Sequence, residues 1–115
     1  MQSIVKGGCI SADSHIVEAH DTYRAYIEPR YRDSAPHIAR DDKGNDIYVI
    51  PGMTDKIPLG LVAGAGVSAQ DLKSRREGTR FEDIHRSGSD PSYRVADQER
   101  DGVAGEVLYA SVGMV

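Results

Sequence analysis

Ile10-Ser11-Ala12-Asp13-Ser14-His15-Ile16-Val17-Glu18 is the stretch on which the reading of this chain turns. The residues from Gly8 to Ala12 are too few for a helix, and glycines bound them on one side, so they read as a short buried strand, strand one over 8–13. Asp13 to His20 then forms the loop at its carboxyl end. Asp13 and His15 are two residues apart, and on a continuing strand such side chains point to the same side. A carboxylate oxygen and an imidazole nitrogen aimed at one point suit a divalent ion such as Zn²⁺ or Mn²⁺. Glu18, His20 and Asp21 follow closely. They could orient the ligands or add to them, and Glu18 is the candidate kept for the orienting role. The same spacing also has an ordinary explanation, a capping Asp beside a solvated His. A catalytic zinc site wants three protein ligands, and two residues on one strand do not make one. No residue is assigned a catalytic role.

Moving outward, Asp21 can cap a short helix with Tyr23, Tyr26 and Ile27 on one face, and Pro29 stops or breaks it. The segments His37 to Arg40 and Asp46 to Ile50 flank Asp41-Asp42-Lys43-Gly44-Asn45, which predicts a hairpin. The apolar, Gly-rich run up to Val67 is expected to be irregular or partly extended. Ala69 to Glu77 can hold a short helix, and Gly78 to Pro91 reads as loop. Asp90-Pro91 is a cap followed by proline in the first turn of a helix over 91–101, closed by Gly102. Val103 to Val112 reads as a second buried strand. The order is strand, a long excursion over 20–90, helix, strand. Two buried strands separated by a helix pair in parallel with a right-handed crossover.

Composition narrows the classes. The chain has 115 residues, 39% of them hydrophobic, with 12 glycines and no tryptophan, so one small domain with a modest core is the ceiling. Its net charge of −4, from 14 basic and 18 acidic residues, gives no electrostatic case for nucleic acid or an anionic membrane. Cys9 stands alone, so no internal disulfide can form, and inside an apolar run it reads as a small core residue. The opening residues show no leader, no segment is long enough to span a bilayer, and a cytoplasmic location is expected.

The run Ile10 to Glu18 resembles the opening of the amidohydrolase-related family, which includes the aminocarboxymuconate-semialdehyde and γ-resorcylate decarboxylase types. Tyr26-Ile27-Glu28-Pro29-Arg30-Tyr31-Arg32 with Ala35-Pro36 is similar to an early segment of that family. Ser92 to Gly113 is similar to its helix–strand pair. The likeness spans most of the chain and is loose over 41–88. It implies an α/β fold, the N-terminal portion of a (β/α)8 TIM-type barrel with an inserted β-hairpin and loop excursion. A barrel needs roughly 250 residues, so it is expected to be incomplete here. It also implies that Asp13 and His15 are metal ligands on strand one, where many relatives carry His-x-His. Ser11 departs from the family, standing where others carry an acidic residue. In the family, the remaining ligands and the catalytic Asp come from later strands. The implied function is metal-dependent hydrolysis or decarboxylation of a small molecule bearing a carboxylate, amide or ester, with the isolated chain weakly active or inactive. His37 and His85 lie outside the matching motif and read as surface histidines.

Two other readings compete. Gly64-Ala65-Gly66-Val67-Ser68-Ala69 fits a dinucleotide-binding turn, which requires a strand before it and an acidic residue ending another strand about thirty residues on. The alternative is an inactive fragment or interaction remnant. Its exposed strand edges would invite pairing with another chain, a homo-oligomer among the outcomes.

Overall fold

The computed structural model describes residues 7–114, the side chains at 76 and 77 excepted. The reading of residues 1–6 as free of a leader lies outside the described residues. The described residues divide into two compact units, one formed by 7–17 with 86–114 and the other by 18–85. Among the described residues no helix is long and apolar enough to cross a membrane.

The second unit is the excursion. It holds β2 (His37–Arg40), β3 (Asp46–Val49) and β4 (Ile57–Pro58) in one antiparallel sheet of order β2-β3-β4. The β2–β3 hairpin pairs His37 with Val49 and Arg40 with Asp46. Its turn is held by the Asp41 carboxylate, which accepts the backbone N–H groups of Lys43 at 2.9 Å and Asn45 at 2.8 Å. Around the sheet lie α1 (Thr22–Tyr26), a 3-10 helix over Pro29–Ser34, α2 (Leu59–Val62) and α3 (Ala69–Glu77). Ala35, Ile38, Ile47, Tyr48, Leu59, Ala63 and Ile84 are buried. Leu59 and Tyr48 are the large fully buried apolar side chains, each contributing about 2–3 kcal/mol by leaving water. Asp46, also buried, ties the hairpin to the following chain: it accepts from Phe81 N at 2.8 Å and from Arg40 Nε at 3.3 Å. The α2 and α3 backbones approach so closely at Gly60 that a Cβ there would lie 2.0 Å from the Arg75 carbonyl oxygen.

The first unit holds β1 (Cys9–His15), α4 (Pro91–Asp101) and β5 (Val103–Tyr109). Asp90 caps α4 through Ser92 N at 3.0 Å, Pro91 fills its first position, and Gly102 ends it at φ 70° and ψ 29°, the left-handed conformation glycine adopts freely. The strands β1 and β5 run parallel. Their register steps from Ser11↔Glu106 to Ser14↔Leu108, so β1 carries one extra residue, a bulge at Ala12-Asp13.

Several expectations are overturned. The fold is not a portion of a TIM-type barrel: among the described residues the parallel sheet has two strands, and the other sheet is antiparallel. Parallel strands in a barrel are covered on both faces. Here Ile10 is 74% exposed, and Val107, Leu108 and Tyr109 are exposed as well. Neither strand is therefore the buried element expected, and Cys9 is exposed rather than a core residue. The physical reason lies on α4. Its partly buried residues are Arg94, Asp97 and Gln98, while Tyr93 and Val95 face solvent. Glu106, in the middle of β5, draws the polar side of the helix onto the sheet, where a barrel strand would receive an apolar one. In the second unit Asp21 precedes α1 but makes no side-chain cap, and Tyr26 on the expected apolar face is exposed.

Candidate metal centre

The bulge in β1 decides how the opening motif is presented. It places Ser11 and Ser14 on one side, their hydroxyls 2.7 Å apart, and Ser14 Oγ donates to Glu106 Oε1 at 3.2 Å. Asp13 and His15, flanking Ser14, then point the other way. They meet there, with His15 Nε2 3.1 Å from Asp13 Oδ1. Both are open to solvent, the His15 side chain at 44% and that of Asp13 at 79%. The Tyr109 ring, at the end of β5, lies against the His15 imidazole with centroids 5.8 Å apart.

The backbone beneath this pair is anchored by Arg94. Its Nε donates to Glu106 Oε2, and its Nη1 donates to the carbonyl oxygens of His15 at 3.1 Å and Ser87 at 3.2 Å. Gln98 Nε2 adds a 2.8 Å bond to the same carboxylate oxygen. The ion pair is partly buried, with Arg94 at 16% and Glu106 at 13% side-chain exposure. Hydrogen bonding from Arg94, helped by Gln98 and Ser14, holds the Glu106 carboxyl below the usual carboxylate range against the opposing effect of burial. Arg94 thus fixes the strand end that carries His15.

Of the residues singled out from sequence, Asp13 and His15 are brought together. Glu18 belongs to the other unit. It is buried there, accepting from Tyr23 Oη at 2.9 Å while its backbone carbonyl accepts from Tyr48 Oη at 2.6 Å. Burial and the Glu18 carboxylate push the Tyr23 hydroxyl up to about 12. Burial first, then the neighbouring Glu18 and Tyr23, raise Tyr48 as well. Glu18 is therefore tied into the packing of the excursion. His20 sets its ring against Phe81 at 5.0 Å in the same unit, and Asp21 is exposed. His37 is partly buried with Nδ1 3.0 Å from Ala35 O, and His85 is exposed. Among the described residues no group of three or more His, Cys, Asp or Glu side chains is placed to hold a metal ion.

The residues that sequence reasoning missed are Arg94, Glu106 and Tyr109. A signal existed for the ion pair: a lone carboxylate inside the apolar run Val103 to Tyr109 requires a cation near it. The Gly64 to Ala69 segment does not have the setting of a dinucleotide turn. It joins α2 to α3, and the nearest preceding strand is the two-residue β4 of an antiparallel sheet.

The pair offers one carboxylate oxygen and one imidazole nitrogen, donor types that divalent ions accept, but fewer than the three protein ligands of a catalytic zinc site. Two ligands each about 2.0–2.1 Å from a tetrahedral Zn²⁺ sit about 3.3 Å apart. Asp13 and His15 stand 3.1 Å apart at hydrogen-bond distance, so an ion bound between them would take the place of the proton they share. No protein-family model matches the sequence, and no curated protein is significantly similar to it.

Proposed function

We propose that this chain supplies Asp13 and His15 to a divalent-metal centre, with Zn²⁺ or Mn²⁺ as the ion, in a hydrolase or decarboxylase acting on a small carboxylate, amide or ester. The reaction class is that of the amidohydrolase-related family its sequence resembles. A cytoplasmic location belongs to the same reading. One observation carries it: a carboxylate and an imidazole on the same side of the carboxyl end of a parallel strand, 3.1 Å apart and open to solvent. Bound there, the ion would polarise a substrate oxygen or lower the pKa of a water molecule.

The chain's own residues hold the pair in place. Arg94 fixes the His15 carbonyl, Ser14 and Glu106 secure the strand from the opposite face, and the Tyr109 ring lies beside the imidazole. Two donors hold an ion weakly, so further ligands and the group that moves protons come from beyond this pair, and little turnover is expected from these residues by themselves. A second reading, an interaction remnant without activity, is favoured by the exposed Ile10, Val107 and Leu108.

Metal analysis after purification without chelator separates the two. The metal reading expects Zn²⁺ or Mn²⁺ that disappears in both Asp13→Ala and His15→Ala. Metal retained in both variants, or absent from the wild type after equilibration with either ion, overturns it.

A further inference from the structure

We infer that the cleft between α2 and α3 binds a small aliphatic carboxylic acid, its chain held between Leu61 and Leu72 and its carboxylate on Lys73. The cleft lies wholly within the second unit, so the inference is independent of Asp13 and His15.

The first ground is shape. The cleft has a volume of about 340 Å³ and is lined by Gly60, Leu61, Gly64, Ala69, Leu72 and Lys73. Small-molecule pockets run from roughly 300 to 1,000 Å³. Ala69, Leu72 and Lys73 are spaced i, i+3 and i+4, which makes them one face of α3. Gly60, Leu61 and Gly64 supply the opposite wall from α2 and the loop after it. The space stays open because Gly60, Gly64 and Ala69 carry no more than a methyl group. Packing demands this smallness. A Cβ at Gly60 would meet the Arg75 carbonyl oxygen at 2.0 Å, and one at Gly64 would lie 3.1 Å from Leu72 Cδ2.

The second ground is the character of the walls. Leu61 is 58% exposed and Leu72 37%. Single exposed leucines are ordinary, but these two line the same cleft. No aromatic side chain stands among the lining residues, and Lys73 is their one polar side chain. An alkyl chain laid between the leucines covers both and leaves water as it does so.

The third ground is charge complementarity. Lys73 has no ion-pair partner among the described residues. The nearby Asp71 carboxylate is engaged at the start of α3, where it accepts from the Ser68 hydroxyl at 2.6 Å. A lysine stem follows apolar surface and keeps its ammonium group in water. In a chain of net charge −4, an uncompensated cation at an apolar cleft favours an acid over an alcohol or an amine of the same length.

Backbone amide NMR of the whole chain, titrated separately with octanoate, octanol and octylamine, tests the inference. Octanoate is expected to shift the amides of the six lining residues in a saturable way, with affinity about fivefold above that of octanol, the factor a solvent-exposed ion pair supplies. Octylamine is expected to bind more weakly still. Lys73→Glu and Ala69→Leu, the second of which fills the cleft, should abolish the response. Lys56→Glu, an exposed lysine elsewhere in the same unit, should preserve it. Ala69 and Lys73 are exposed, so both variants are expected to keep the wild-type amide spectrum without ligand. Equal binding of octanoate and octanol, equal losses in Lys56→Glu and Lys73→Glu, shifts centred on other residues, or no saturable response would each overturn the inference.

Discussion

Replacing Arg94 by alanine is the substitution with the largest reach in the first unit. The guanidinium bonds Glu106, the His15 carbonyl and the Ser87 carbonyl. Removing one partner of a buried ion pair costs about 3–5 kcal/mol, because the other charge is left stranded. Glu106 would keep Gln98 at 2.8 Å, Ser14 at 3.2 Å and its 13% exposure, which lowers the cost. About 2–3 kcal/mol is the expected destabilisation, well above the 0–1 kcal/mol of a surface pair. At about 4 °C per kcal/mol for a chain of this size, Tm falls by about 10 °C. Thermal unfolding at pH 7 followed by far-ultraviolet circular dichroism reads this directly. Arg94→Lys should recover less than half of the loss, since an ammonium group cannot reproduce the planar fork. A fall below about 3 °C for Arg94→Ala would show the pair to behave as a surface contact, and the account of how β1 is anchored would fail.

Glu106→Gln carries a pH signature. The carboxyl is held below its ordinary 4.5, so its contribution is complete above that pH and disappears as pH falls through the depressed folded-state value. The stability gap between wild type and Glu106→Gln should close on acidification; a gap constant from pH 7 to 3 is the contrary result. At the alkaline end, Tyr23 is protonated in the folded protein up to about 12 but ionises near 10 when unfolded. Stability should therefore decline as pH rises between those values, and Tyr23→Phe, costing about 1 kcal/mol at pH 7 for its lost hydrogen bond, should flatten the decline in urea titrations. Gly60→Ala puts a methyl group 2.0 Å from the Arg75 carbonyl oxygen, so α2 and α3 must part. A loss of about 2 kcal/mol is expected in urea unfolding, and a neutral result would mean that the two helices are free to shift.

What was legible in the sequence is what neighbouring residues decide among themselves. Asp90, Pro91 and Gly102 specify both ends of α4 through a side-chain cap, a missing N–H and a left-handed backbone. The hairpin was legible in the β-prone run Ile47 to Ile50 and the turn residues Lys43-Gly44-Asn45, where Gly44 takes φ 83°; the Asp41 carboxylate that gathers the turn N–H groups was not. Burial is a different matter. Val103 to Tyr109 has the composition of a core strand, but whether it is covered depends on which face another element brings to it, and Glu106 together with Arg94 settled that in favour of a polar contact. The same limit applies to Cys9 and Ile10, which read as core and lie exposed. At the candidate centre, the shared side of Asp13 and His15 follows from their spacing. The bulge beneath them and the arginine fixing them do not, because both depend on residues more than seventy positions away. Glu18 illustrates the converse: three residues from His15 in sequence, it is committed to Tyr23 in the other unit.

Asp13 and His15 are proposed to act together as metal donors. The chain has four histidines, at 15, 20, 37 and 85. Imidazole nitrogen and ring-proton resonances recorded during a Zn²⁺ titration therefore distinguish them individually. The account predicts a large change at His15 Nε2, abolished in Asp13→Ala, with His20, His37 and His85 unmoved. An unchanged His15, or a response at His15 that survives loss of the Asp13 carboxylate, would contradict it.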